Sequence, residues 1–126
     1  MENQISGGLK ITFLIHLIVG GIFGLALLFV PTWWMNLSGW AVADPEPYRV
    51  LGAAILGFAA SSWWAYREAT VEKVLIIVKT EIVWTILAAL VFLYGLLAGT
   101  MPAAAWINFI IMAAFAVAFI VFRPQE

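Results

Sequence analysis

Apolar residues along this chain gather into four long runs, parted by one polar, tryptophan-rich stretch and two short breaks. A hydrocarbon layer about 30 Å thick is crossed by about 20 helical residues, and the runs are of that order. The first covers 11–30 and stops at Pro31. The second has its apolar core at 50–65 and is lengthened by the preceding DPEP, where Asp44 supplies a capping carboxylate and Pro45 an opening residue, giving a span of 47–66. The third covers 74–98 and the fourth 102–122. Connections as short as the last two make consecutive helices antiparallel neighbours. The expected fold is therefore all-α, a single polytopic membrane domain built as an antiparallel bundle of four transmembrane helices.

Residues 31–46, PTWWMNLSGWAVADPE, read as an interfacial loop or short helix lying at the headgroup level. Trp33, Trp34 and Trp40 are its anchors, because an indole is apolar over most of its surface and hydrogen-bonded at one edge. Glycine and alanine recur at helical spacing: Gly20 and Gly24 in the first span, Ala53, Gly57 and Ser61 in the second, Ala114 and Ala118 in the fourth. Such stripes let backbones approach closely, and are expected to close the bundle of one chain, with a subunit interface as the alternative.

Composition agrees with the pattern: 65% of the 126 residues are hydrophobic and 10% charged, with mean hydropathy +1.06. Six basic and seven acidic residues do not cover a water-facing surface. The net charge of -1 excludes a nucleic-acid footprint, which needs clustered cations. The absence of cysteine removes disulfides, thiolate metal sites and iron–sulfur clusters, and a single histidine, His16, removes a haem held by two histidines of this chain. No metal-ligand set and no required cofactor is legible. The N-terminus MENQISGGLK has an acid before its lone lysine and no early small-residue cleavage site, so it reads as a retained first span; a leader cleaved near Gly21 or Gly24 is the alternative.

Basic residues set the orientation. Lys10, Arg67, Lys73 and Arg123 fall on one side and only Arg49 on the other, which places both termini in the cytoplasm of a prokaryotic cell with the protein multi-pass in the plasma membrane. Lys79 joins the cytoplasmic group by extending its stem back to the headgroups, and is read as an interface anchor.

Polar side chains inside the spans are costly and direct attention to function. At ~1.5 Å rise per residue, Lys79 lies roughly 7 Å and Glu81 roughly 10 Å inside the third span, with His16 at roughly 9 Å and Ser61 and Ser62 at roughly 6 to 8 Å. Equal depth makes a cluster of His16, Ser61 or Ser62, and Glu81 feasible. Residues two apart point to different sides of a helix, so Lys79 and Glu81 do not face each other. Thr85 stands one turn beyond Glu81 and Trp84 beside it, so the candidate site combines an acid, a hydroxyl and an aromatic wall. Asn108 is expected to bond another helix. No phosphate loop, HExxH motif or serine–histidine–acid arrangement in its required context is present.

The segments GGIFGLALLFVPTWW, YRVLGAAILGFAASSWWAYRE and EKVLIIVKTEIVW, followed by a final short helix, resemble small uncharacterised bacterial and archaeal four-helix membrane proteins, including DoxX-like ones. The resemblance covers nearly the whole chain and rests on layout and small-residue texture; it implies the fold, and some such proteins are associated with quinone-linked oxidation. The small multidrug resistance transporters are similar in size and helix number, but carry their essential glutamate in the first helix, where this chain has His16, and lack its long first loop.

Three functional classes follow. The first is an accessory or scaffold subunit of a membrane assembly, with membrane lipids and a homo-oligomer or larger complex as partners. The second is a small proton-coupled transporter or binder of a lipophilic or cationic molecule. The third is a quinone-linked redox component, the only one of the three that is an enzyme, and no set of residues here requires it.

Overall fold

A computed structural model describes residues 3–125. Within them the chain forms five α-helices: α1 (Gly7–Phe29), α2 (Pro31–Leu37), α3 (Glu46–Arg67), α4 (Leu75–Leu97) and α5 (Ala105–Val121). No strand occurs among the described residues, only an isolated antiparallel bridge between Gln4 and Thr70. Boundaries move from the expected ones for local reasons. α1 begins earlier, at Gly7, because Ser6 caps it by accepting a hydrogen bond from the Leu9 N–H at 3.1 Å. The polar 31–46 stretch opens as the helix α2, with Pro31 at its first position, where a missing N–H costs nothing. Asp44 accepts from the Glu46 N–H at 3.0 Å at the start of α3.

Two helices end in the same device. After α2, Gly39 takes φ +83°, its N–H bonds to Asn36 O and the Trp40 N–H to Met35 O; after α4, Gly99 takes φ +73°, its N–H bonds to Leu96 O and the Thr100 N–H to Gly95 O. This is the double closure in which a left-handed glycine satisfies the last carbonyls. α5, after the second of these turns, is 17 residues long.

α1 and α4 are each 23 residues long and apolar enough to cross a membrane. Their outward faces are apolar as well: Ile11, Ile15, Ile18, Ile22 and Leu25 form an exposed stripe on α1, and Val83, Leu87, Leu90 and Val91 are exposed on α4.

The long helices associate as two pairs, α1 with α3 and α4 with α5. Glycine makes the first pair tight. A Cβ on Gly52 would lie 2.7 Å from the Leu28 backbone N and 2.9 Å from Gly24 O, and a Cβ on Gly20 would lie 3.3 Å from that of Ala59. The stripe that does this is Gly20, Gly24, Gly52 and Ala59. Ala53 and Gly57, expected to close the bundle of one chain, are exposed, and a Cβ on Gly57 would meet nothing within 4 Å.

The two pairs join at the end of the bundle that carries the termini. There Ile5, Leu9, Phe13, Ala65, Val74, Val78, Phe115 and Phe119 form one buried cluster. The N-terminal segment closes this end, with the Val71 N–H bonded to Asn3 O at 2.9 Å. Toward the α2 end the pairs diverge, α3 and α4 touching over only a short length, and the space between them is not filled by side chains.

Candidate functional site

Three helices contribute one buried polar group each at the level where the core ends. His16 comes from α1, Ser62 from α3 and Glu81 from α4; their residue exposures are 4%, 0% and 0%. The His16 Nδ1 lies 2.7 Å from Ser62 Oγ, and Nε2 lies 3.2 Å from Glu81 Oε2. The second distance is that of an ion pair, but its direction falls outside hydrogen-bond geometry, and neither Glu81 carboxyl oxygen has a hydrogen bond among the described residues. Phe115 and Phe119 hold the imidazole edge-on, with ring centroids at 4.9 and 5.8 Å.

Burial restricts the proton count. Apolar surroundings favour a pair with no net charge. That leaves imidazolium with carboxylate, or imidazole with carboxylic acid. In both, Nδ1–H donates to Ser62 Oγ, so the tautomer is assigned by this argument. The two forms differ only in which side of the 3.2 Å gap holds the second proton.

Serine, histidine and an acid in sequence are the parts of a nucleophilic triad, yet this geometry does not support acyl transfer. Ser62 is fully buried and absent from the cavity lining. It also lies inside α3, where backbone N–H groups are spent on the helix and leave no oxyanion hole.

The remaining sequence candidates separate. Ser61 donates to Phe58 O at 2.7 Å, within its own helix, and does not join His16. Thr85, fully buried, donates to Glu81 O at 2.6 Å. Its hydroxyl is thereby spent on backbone and not on the Glu81 carboxyl. Lys79 is exposed and faces a groove shared with Arg123. Trp84 stacks on Phe58, centroids 5.3 Å apart and planes 10° from parallel, bridging α4 and α3. Trp33 is exposed, whereas Trp34 packs edge-on against Phe23 at 5.2 Å and lines the interior together with Trp40.

That interior is a cavity of about 200 Å³ between the two helix pairs. His16 forms its floor. Phe58, Trp84, Phe92, Met112 and Phe115 are among its walls, and Trp34, Met35, Ser38 and Trp40 cover the α2 end. Gly39 brings this cover against Pro102 of the α4–α5 connection, where an added Cβ would lie 3.2 Å from the proline Cβ. Asn108 also lines the cavity, and the interhelical hydrogen bond expected of it is not formed: its amide has no partner among the described residues. Glu81 does not reach the lining; it stands behind His16.

No group of three or more potential metal ligands occurs among the described residues. Comparison with protein-family models, with curated proteins and with solved structures finds no match for this chain.

Proposed function

We propose that the chain is a four-span membrane protein, termini in the cytoplasm, that binds a lipophilic small molecule in the cavity between its two helix pairs. The observation that carries this is the cavity itself: lined by all four long helices, mostly through aromatic and aliphatic side chains, and ended by a buried ionisable group. Ligand sites are concavities of this kind, largely apolar with few polar groups. The exposed apolar stripes of α1 and α4 support a lipid-facing exterior, since a soluble monomer seldom displays apolar patches of that extent.

His16, Ser62 and Glu81 then serve as a clasp beneath the ligand, tying α1 and α3 to α4. The reading differs from proton-coupled exchange because Leu9, Phe13, Val78 and Phe119, none more than 1% exposed, fill the path from the clasp to the cytoplasmic end. Replacing Ala88, on the cavity wall, with tryptophan fills the space. Organic extraction of purified protein followed by mass spectrometry will then recover a lipophile enriched over bulk lipid from the native chain and not from Ala88→Trp. Equal recovery from both, at the background level, would contradict binding in this cavity.

A second reading, a subunit of a homo-oligomer or larger assembly, is supported by the exposed Ala53 and Gly57, whose small side chains admit a partner helix. Under it, Ala53→Ile combined with Gly57→Ile lowers self-association in light scattering of detergent-solubilised protein; an unchanged mass distribution counts against a homo-oligomer built on this face.

A further inference from the structure

The cavity has two ends of different chemistry. At the floor, both ring nitrogens of His16 are engaged, one by Ser62 at 2.7 Å and one by Glu81 at 3.2 Å. The ring therefore offers carbon to the cavity. At the α2 end, Asn108 and Tyr48 line the same space, and neither the amide nor the hydroxyl has a hydrogen-bond partner among the described residues. Asn108 is the one amide in α5, a helix otherwise made of aliphatic and aromatic residues. An amide facing such a lining without a partner is unfavourable until something pairs with it.

We infer that Asn108, together with Tyr48, is the specificity-determining contact for a neutral, planar lipophile carrying one hydroxyl or carbonyl group, held with that group toward α2 and its apolar body toward His16. The inference rests on the cavity-binding reading above and adds the class of ligand and its direction.

Charge decides against ions. No aspartate, glutamate, lysine or arginine lines the cavity, so a permanent cation or anion would enter a low-dielectric space without a counter-charge. Aromatic faces attract a cation, but that attraction does not replace a carboxylate lost to view behind His16. An amide, by contrast, offers both a donor and an acceptor, and a hydroxyl or carbonyl satisfies it. Size decides the body. An engineered cavity of about 150 Å³ admits benzene, and the larger volume here, about 200 Å³, suits two fused rings. Planarity follows from the walls, where the Phe58–Trp84 stack presents flat aromatic surface.

The test uses naphthalene, naphthol and naphthyltrimethylammonium, three probes sharing one body, with the full chain in lipid nanodiscs and empty nanodiscs as the partition control. Equilibrium dialysis of each probe gives its dissociation constant. Naphthol is expected to bind about tenfold more tightly than naphthalene, the net effect of one hydrogen bond, and the cation more weakly than either. Asn108→Leu brings naphthol to the level of naphthalene. The same variant melts no lower than the native chain, since no hydrogen bond is lost, whereas a structural role for the amide would lower it. Naphthalene binding without any advantage for naphthol, an advantage that survives Asn108→Leu, tightest binding by the cation, or a lowered melting temperature overturns the inference while leaving the cavity reading intact. Failure of all three probes to exceed the empty nanodisc overturns both.

Discussion

Replacing His16 with leucine will destabilise the fold by on the order of 3 kcal/mol, and replacing Glu81 with leucine as well will restore most of that loss. The single change leaves a carboxyl at zero exposure with no hydrogen-bond partner among the described residues and without its imidazole contact, and removing one member of a buried pair costs several kcal/mol because the other stays desolvated. The double change removes both polar groups and puts apolar volume in their place, which is often neutral. Glu81→Gln is milder, near 1 kcal/mol, since its amide still reaches the imidazole. Unfolding in a denaturing-detergent titration reads all three. Single effects that merely add in the double variant would mean that the 3.2 Å contact does not couple the helices.

Gly52→Ala is the second large effect, expected at about 1–3 kcal/mol. The added Cβ meets backbone, Leu28 N at 2.7 Å and Gly24 O at 2.9 Å, and backbone inside a helix has nowhere to move. The same substitution at Gly57, one helix face away, meets nothing within 4 Å. There alanine gains roughly 0.5–1 kcal/mol from helix propensity. Measured in the same titration, the two glycines of α3 must move stability in opposite directions; equal shifts would contradict the α1–α3 contact.

These two predictions draw on parts of the structure that differ in how far sequence exposes them. The helical runs are legible because each is long and apolar, and Asp44, Pro31 and Pro45 mark boundaries by local chemistry alone. Helical rise sets His16, Ser61 or Ser62, Lys79 and Glu81 at similar depths, and the structure places His16 between two of them, 2.7 Å from Ser62 Oγ and 3.2 Å from Glu81 Oε2. Depth does not give azimuth, however. Ser61 and Ser62 stand at nearly the same height, and only the packing of α3 on α1 turns Ser62 toward His16 while Ser61 bonds its own helix. The same loss explains the glycine stripe: Gly52 and Gly57 are alike in sequence, and which one faces α1 depends on how the helices roll together.

The cavity is not legible at all. It exists because two pairs of helices pack well within themselves and join each other mainly at the terminal end, a property of divergence that no residue pattern records. Its lining mixes residues from every helix, and Trp34 and Trp40, whose composition speaks for interface anchors, turn inward to cover it. Asn108 illustrates the consequence. In sequence an asparagine within an apolar helix suggests a bond to a neighbouring helix, and only the gap between the pairs makes Asn108 a lining residue instead.

Photolabelling tests the central claim most directly. A naphthol carrying a diazirine, activated in nanodiscs containing the native chain, is predicted to label cavity-lining positions on different helices, such as Ala88 of α4 and Met112 of α5, with unlabelled naphthol suppressing the signal. Labelling confined to the exposed positions Leu87, Leu90 and Ile110 on those same helices, insensitive to competitor, would show that the probe meets the protein only from the surrounding lipid and would contradict a binding cavity between the helix pairs.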